Sequence, residues 1–289
     1  MIRALRRQLW QLILLTILGV LAIALMLPIA FTLFYSFFPK SEMSAYLGAM
    51  DNYSAERWLP ILISPRQATL RQYYTILIED PTYLYQFINS AIYAGGILAG
   101  QLVVVPSMAF ALSCFRFKGR EFLFFVILVL MLMPFQVTMT PTVITLQFMN
   151  LMNTRWAVIL PMWFSPFYMF LLRQYMVGVP PELMEAGMID GAGPLRCYLH
   201  IMLPAVRPIL GAAVALSFAD NWNMVEQPLV YLTDYALQPL SVAFNQLGTY
   251  KEGQEIAFAG AALFIMPALI LYMYFQEDIL MGVQLSELK

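Results

Sequence analysis

A polar segment between two apolar stretches, residues 177–208, carries one group of residues that could do chemistry. Pro181 suits the first turn of a helix, and the carboxylate of Glu182 complements the positive end of that helix. Three apolar residues are spaced to form one face of this helix, with Glu185 beside them: Leu183, Ala186 and Ile189. The pattern predicts a short amphipathic helix outside the membrane core.

The run Gly191-Ala192-Gly193-Pro194 predicts the end of this helix and the start of a second one. The second helix is expected to run to Leu203 and to end at Pro204. Two short helices that meet at a glycine corner, with an apolar stripe and few charges, suit docking into a groove on another protein. The alternative is a hairpin that rests on lipid headgroups, for which the segment offers few Lys or Arg residues.

A second group of polar residues lies in an apolar stretch, where Asp220 is the most deeply placed acid. Counted from Pro208, this carboxylate lies about 18 Å along a helix that rises about 1.5 Å per residue. Its neighbours are Asn221, Trp222, Asn223 and Glu226. Amides, carboxylates and an indole together suit a sugar, so this cluster is expected to line a solute pathway. The alternative is that these residues only form hydrogen bonds between helices. Gln101 and Gln136 are weaker pathway candidates.

The composition excludes a soluble protein. Of 289 residues, 61% are hydrophobic and only 11% are charged, about half the usual share of charge. Sixteen Lys and Arg residues balance seventeen acids, so the chain has no basic excess for nucleic acid. A single histidine, His200, and two separated cysteines argue against a metal site or a hydrolytic triad.

Windows without charged residues locate the membrane spans, each of which needs about 20 apolar residues. Five windows are residues 8–39, 81–115, 122–154, 156–172 and 256–276. A sixth span extends from about residue 209 to 232. The first window is longer than the core of a secretory signal and predicts a retained helix. The sequence therefore predicts an all-α membrane protein with six transmembrane helices.

The distribution of Lys and Arg predicts that both termini are cytoplasmic. With the N-terminus inside, cytoplasmic segments hold ten of the sixteen basic residues. The predicted organisation is a first transmembrane helix with a basic N-terminus at 1–38, an extracytoplasmic loop at 39–84 and a five-helix core at 85–289. Gly96 and Gly100 in the second span are expected either to pack helices within the chain or to contact a second membrane subunit.

Three motifs in the polar segment resemble the EAA loop of ABC-importer permeases, whose pattern runs EAA, three residues on to DGA, then I-x-LP. They are Glu185-Ala186-Gly187, Asp190-Gly191-Ala192 and Ile201-Met202-Leu203-Pro204. Further motifs resemble the carbohydrate branch, typified by the smaller permease of the maltose transporter: Asn89-Ser90, Met133-Pro134, Leu151-Met152-Asn153-Thr154, Phe170-Leu171-Leu172-Arg173-Gln174, Asn221-Trp222-Asn223 and Pro228-Leu229. The resemblance covers about residues 85–289.

The resemblance implies a type I ABC-importer permease in which the polar segment docks into a cleft of a cytoplasmic ATPase. The residues implied in coupling are Glu182, Glu185, Ala186, Gly187, Asp190, Gly191, Ala192, Leu203 and Pro204, with Glu185 pairing a basic group of the ATPase. Gly187 replaces the second Ala of the family pattern. This departure costs about 1 kcal/mol of helix propensity if exposed and allows a closer approach.

The chain has no GxxxxGK[ST] motif to grip phosphates, so it is expected not to be an enzyme and to bind no cofactor. ATP and Mg²⁺ would belong to a separate ATPase dimer. The other implied partners are a second, related permease, an extracytoplasmic solute-binding protein, a sugar substrate and membrane lipid of the inner membrane. The alternatives are an ABC permease for an amino acid, polyamine or phosphonate, and a secondary transporter.

Overall fold

The computed structural model describes residues 2–51, 65–247 and 254–287, which form helices and turns without a strand. The first eight helices are α1 (Ile2–Tyr35), α2 (Lys40–Asp51), α3 (Arg71–Tyr74), α4 (Pro81–Cys114), α5 (Arg120–Leu132), α6 (Phe135–Phe148), α7 (Arg155–Ile159) and α8 (Pro166–Val177). The next seven are α9 (Pro181–Ile189), α10 (Pro194–Cys197), α11 (Leu203–Ala205), α12 (Arg207–Trp222), α13 (Glu226–Tyr231), α14 (Leu240–Leu247) and α15 (Gln254–Glu287). The fold is all-α, as the sequence predicts.

Four helical stretches in the described residues are long and apolar enough to cross a membrane. They are Gln8–Tyr35, Pro81–Cys114, Arg155–Val177 and Ile256–Leu280. Two helix pairs pass the same test only when each bent pair is taken as one span: α5 with α6, bent by 108°, and the stretch Pro194–Ala205 with α12, bent by 77°. The described chain therefore has four to six candidate spans.

The chain divides into two compact units. The first comprises residues 1–84 and 246–265, and the second comprises residues 85–245 and 266–289. In the first unit, Phe38, Met43 and Ile76 are buried, while α1 buries no side chain between Gln8 and its last turns. Such a long apolar surface has to be covered by lipid or by another protein. Residues 52–64 of the predicted extracytoplasmic loop lie outside the described residues.

The second unit contains two separate apolar clusters. The larger cluster joins residues 105–112 of α4, residues 168–176 of α8 and residues 198–213 around the start of α12, together with Phe124 and Ile127 of α5. The smaller cluster joins the first half of α4 to α7 and to residues 224–232 after α12. The long helix α4 thus contributes its first half to the smaller cluster and its second half to the larger one.

The two glycines of the second span pack helices within the chain. A Cβ atom at Gly100 would overlap the indole ring of Trp163, and one at Gly96 would lie 3.0 Å from the Ile159 side chain. The Trp163 indole N–H donates a hydrogen bond to the carbonyl of Gly96 at 3.0 Å. These contacts explain the glycines without a second subunit, because only residues lacking a side chain admit the indole.

Two predicted spans are interrupted in the structure. The window 122–154 breaks between α5 and α6, where Pro134 takes the extended conformation and has no N–H to continue the helix. The stretch 209–232 is not one helix either, because α12 ends at Trp222. The side-chain amide of Asn223 donates to the carbonyl of Ala219 at 2.8 Å and caps the helix end, and α13 begins three residues later.

Candidate coupling and translocation surfaces

The predicted helix pair forms a helical corner, which consists of α9, the turn Asp190–Gly193 and the stretch Pro194–Ala205. Pro181 and Pro194 both occupy the first turns of their helices, as expected. Gly191 has a φ of +81°, a left-handed conformation that glycine adopts without strain. Gly193 is extended and precedes the second helix. The turn therefore lies where the sequence predicts it.

Gly187 lies where the two arms of the helical corner meet. A Cβ atom at this position would overlap the Cδ1 of Ile201 and would lie 3.5 Å from the Sγ of Cys197. The Cys197 thiol in turn contacts the carbonyl of Ala192 at 3.6 Å. The close approach expected from Gly187 is therefore made to the chain's own second arm.

The opposite face of the helical corner is exposed. Leu183, Ala186 and Ile189 all point outward, and Ile189 is 85% exposed. Leu195 of the second arm is also 68% exposed. Three carboxylates border this apolar surface, and none of them forms an ion pair within the described residues: Glu182, Glu185 and Asp190. The corner thus presents an apolar face with acidic edges that its own chain does not cover.

The second arm differs from the prediction, which ended it at Pro204. The helix continues through Leu203 and Pro204 to Ala205, after a wider π turn at Tyr198–Met202. In that turn the N–H of Leu203 bonds to the carbonyl of Tyr198, five residues back. Pro204 comes directly after this wider turn. It has no N–H, and it fits there because that position of the helix needs no N–H donor. The arm then bends into α12 at Val206.

The predicted pathway cluster divides into exposed and buried residues. Asp220 is exposed, and its Oδ2 accepts a hydrogen bond from the Tyr168 hydroxyl at 2.6 Å. Glu226 is also exposed, and its carboxylate lies 3.4 Å from the side-chain amide of Gln136 at the start of α6. Sequence reasoning did not find Tyr168, because nothing in its neighbourhood distinguishes it from other aromatic residues of the spans.

Asn221 and Trp222 point into the chain instead. Trp222 is 2% exposed, and its ring stacks on Phe218 and meets the edge of Phe87. The amide of Asn221 donates to the carbonyl and hydroxyl of Ser217. For these two residues the placement favours the alternative of helix packing over direct contact with solute.

Ser217 extends this interior network across to α4. Its hydroxyl donates to Gln101, and the Gln101 amide donates to the carbonyl of Met162 at 2.8 Å. The side chains of Gln101, Ser217 and Asn221 are all buried. The network therefore links three chain segments, since a buried polar group requires a partner.

Comparison with known proteins identifies the family of this chain. The profile of binding-protein-dependent transport system inner membrane components matches residues 94–279. The chain belongs to this family. The permease is 31% identical over 261 residues to the arabinooligosaccharides transport system permease protein AraQ of Halalkalibacterium halodurans, which covers 90% of this chain and 94% of the relative. It is 29% identical over 213 residues to the sn-glycerol-3-phosphate transport system permease protein UgpE of Salmonella typhi, covering 73% and 76% of the two chains.

Solved structures share the fold of this permease. A bacterial ABC transporter involved in the import of the acidic polysaccharide alginate contains a chain with a TM-score of 0.78 at 20% identity, covering 93% of this permease and 96% of that chain. A chain in the structure of a bacterial alginate ABC transporter in complex with alginate pentasaccharide-bound periplasmic protein gives a TM-score of 0.58 at 15% identity, with 88% and 92% coverage. The permease therefore has the fold of an ABC-importer membrane subunit.

Proposed function

We propose that this permease is the membrane subunit of an ABC importer for a sugar or oligosaccharide. It forms half of the translocation pathway and couples to a separate ATPase through the helical corner. The observation that carries the coupling proposal is the uncovered apolar face of the corner with its acidic edges. An apolar helix face of this kind docks into a groove of a partner, and Glu185 would pair with a basic group there.

The cargo assignment rests on the sugar-importing relatives. The names of AraQ and of the alginate importer point to oligosaccharides, whereas the name of UgpE points to a phosphorylated three-carbon compound. The second candidate cargo is therefore a small phosphate ester. Carboxylates and amides of the kind found at Asp220 and Gln136 accept from and donate to sugar hydroxyls, which favours a sugar cargo.

The proposed topology has six spans, with both termini and the helical corner in the cytoplasm. The two bent helix pairs then serve as the third and fifth spans. In this topology, successive spans cross the membrane in opposite directions. The separation of the second unit into two apolar clusters supports it. Residues that the proposed topology assigns to the inner half of the membrane gather in the larger cluster, and those assigned to the outer half gather in the smaller one. The division into 1–38, 39–84 and 85–289 follows this topology.

In the proposed pathway, Asp220, Asn223 and Glu226 face the solute, with Tyr168 and Gln136 orienting the two carboxylates. Asn221 and Trp222 support them from the interior. An ionised carboxylate in a span faces water or protein, because contact with lipid costs several kcal/mol. The exposed side of Asp220 would therefore be covered by the second permease or by the aqueous pathway.

The partners of the proposed complex carry the remaining tasks. A solute-binding protein delivers the cargo outside, and a second, related permease completes the pathway. A cytoplasmic ATPase dimer holds ATP and Mg²⁺, so this subunit binds no cofactor and catalyses no reaction of its own.

The test of this proposal is charge reversal at the helical corner. In a complex assembled from this permease and the proteins encoded beside it, Glu185→Lys should reduce ATPase co-purification and sugar-stimulated ATP hydrolysis. Glu121→Lys is the matched control, because Glu121 lies on the proposed cytoplasmic side and forms only an exposed ion pair with Arg120. Normal co-purification and uptake in Glu185→Lys would refute the coupling role. Uptake of labelled oligosaccharides or of glycerol phosphate would decide the cargo.

A further inference from the structure

Asn153 fixes the main chain of a distant segment. It has a left-handed backbone with a φ of 58°, and its N–H donates to the carbonyl of Tyr231 at 2.9 Å. Its side-chain Oδ1 accepts from the N–H groups of Thr233 at 3.0 Å and Asp234 at 2.8 Å. One asparagine thus satisfies three main-chain groups of residues 231–234, about eighty positions away in the sequence.

Asn89 of α4 holds the next part of the same segment. Its side-chain amide donates to the carbonyls of Ala236 at 2.8 Å and Gln238 at 3.2 Å. Its Oδ1 accepts from the guanidinium of Arg155 at 3.1 Å, and the residue is only 3% exposed. The buried amide is fully used, and breaking any of these bonds would leave a buried group without a partner.

Two further side chains of α4 complete the attachment. The hydroxyl of Ser90 accepts from the N–H of Leu240 at 2.9 Å, and the Tyr93 hydroxyl donates to the carbonyl of Leu237 at 2.7 Å. Apart from the bond between Asn89 and Arg155, all of these bonds reach main-chain atoms of residues 231–240. They therefore fix the shape of the backbone whatever side chains the segment carries.

We infer that Asn89, Ser90 and Asn153 are positioning residues for transport. Together with residues 231–240 they form an outer block, a unit that stays assembled through the transport cycle. This inference rests on the proposed function, in which all of these residues lie toward the outer face. The outer block holds the turn Asp234–Ala236, whose side chains are exposed, in one orientation at the mouth of the pathway.

Preorganisation explains what this fixed turn contributes. A segment that is already ordered loses less conformational entropy when solute or its carrier arrives than a mobile segment does. Loosening the outer block should therefore weaken capture rather than slow the later steps. The rotation that opens and closes the pathway would then occur outside the block.

The first test removes the Asn153 side chain. Asn153→Gly keeps the left-handed backbone accessible and deletes the two side-chain bonds. We expect KM for uptake, measured with solute-loaded binding protein, to rise about three- to tenfold while kcat is retained. Asn150→Gly is the matched control, since Asn150 also has a left-handed φ of 55° but its side chain makes no hydrogen bond to residues 231–240 within the described structure. An unchanged KM, or a loss of kcat alone, would overturn the inference.

The second test asks directly whether the outer block stays together. Cysteines at Thr154 and Thr233, which leave the Asn153 side chain and its bonds to residues 233 and 234 in place, are joined by a short bismaleimide in a background of Cys114→Ser and Cys197→Ala. Uptake should continue after the link forms, because its ends do not separate during transport. A link that stops uptake would show that the block comes apart and would overturn the inference. If the unmodified complex shows no ATP-driven uptake at all, it is the proposed function that fails.

Discussion

Individual side chains on α12 face two different environments. Asp220 points out of the chain, whereas its neighbour Asn221 points into a buried network. The sequence predicted both residues as pathway residues, since adjacent polar residues in a span look alike. The direction of each side chain depends on the helix rotation, which is set by the packing of Phe218 and Trp222 and by the Ser217 hydrogen bonds.

We expect Asp220→Asn to impair transport without destabilising the protein. The substitution keeps the shape of the side chain but removes the charge that the Tyr168 hydroxyl supports. The amide oxygen of Asn can still accept from Tyr168, whereas in the proposed pathway the charged carboxylate accepts from a solute hydroxyl. A hydrogen bond to a charged group contributes about 1.5–3 kcal/mol, so uptake at low solute concentration should fall about tenfold or more. Transport assays on vesicles would measure this, with thermal melting as the check on folding. Uptake equal to that of the parent protein would remove Asp220 from the pathway.

Ser217→Ala should have the opposite profile. The buried hydroxyl links Gln101 to Asn221. Its removal leaves the Gln101 side-chain oxygen without a partner, whereas the Asn221 amide keeps only its bond to the Ser217 carbonyl. The expected cost is about 1–3 kcal/mol of stability, seen as a lower melting temperature, with KM for uptake unchanged. Ser44→Ala is a suitable control because that exposed hydroxyl bonds to the Ser41 carbonyl of its own helix. A changed KM would indicate that the network reaches the solute.

At the scale of secondary structure, the sequence predicted the turn of the helical corner well and the end of its second arm poorly. Pro181, Gly191 and Pro194 act locally, and local rules were sufficient for them. Pro204 was expected to end its helix because it has no N–H to donate. The helix continues past it, because the π turn before it makes that N–H unnecessary. That turn is accompanied by the packing of Tyr198 and Met202 into the larger apolar cluster, a tertiary effect that sequence spacing does not reveal.

The contact between the arms of the helical corner predicts a graded response at Gly187. Gly187→Ala should be tolerated, because the overlapping atom is the flexible end of the Ile201 side chain. Gly187→Val is bulkier, and the end of the Ile201 side chain cannot move far enough to make room for it. Overpacking of this kind costs about 1–3 kcal/mol. We expect sugar-stimulated ATP hydrolysis to fall about tenfold for Val and to change less than twofold for Ala. Equal activities for both variants would show that the spacing of the arms is unimportant for coupling.

Across the whole molecule, the two apolar clusters and the distribution of Lys and Arg residues agree with the same proposed membrane topology. Ten of the sixteen basic residues flank the spans on the side assigned to the cytoplasm. The helical corner contacts the larger cluster through Met184 and Leu203, while the outer block contacts the smaller cluster through Leu232 and Leu237. The corner and the outer block therefore belong to opposite halves of the second unit. The presence of several apolar spans could be predicted from hydropathy, but the breaks at Pro134 and Asn223 could not.

This arrangement predicts which residues can be reached from each side of the membrane. Asp190 of the corner and Asp234 of the outer block are both exposed, so cysteines there should react readily once accessible. With Cys114→Ser and Cys197→Ala as background, a membrane-impermeant maleimide should label Asp234→Cys in right-side-out vesicles and Asp190→Cys only in inverted ones. The positive-inside rule is the physical reason, because basic segments are retained in the cytoplasm during insertion. The reverse labelling pattern would invert the topology, and the helical corner would then be out of reach of a cytoplasmic ATPase.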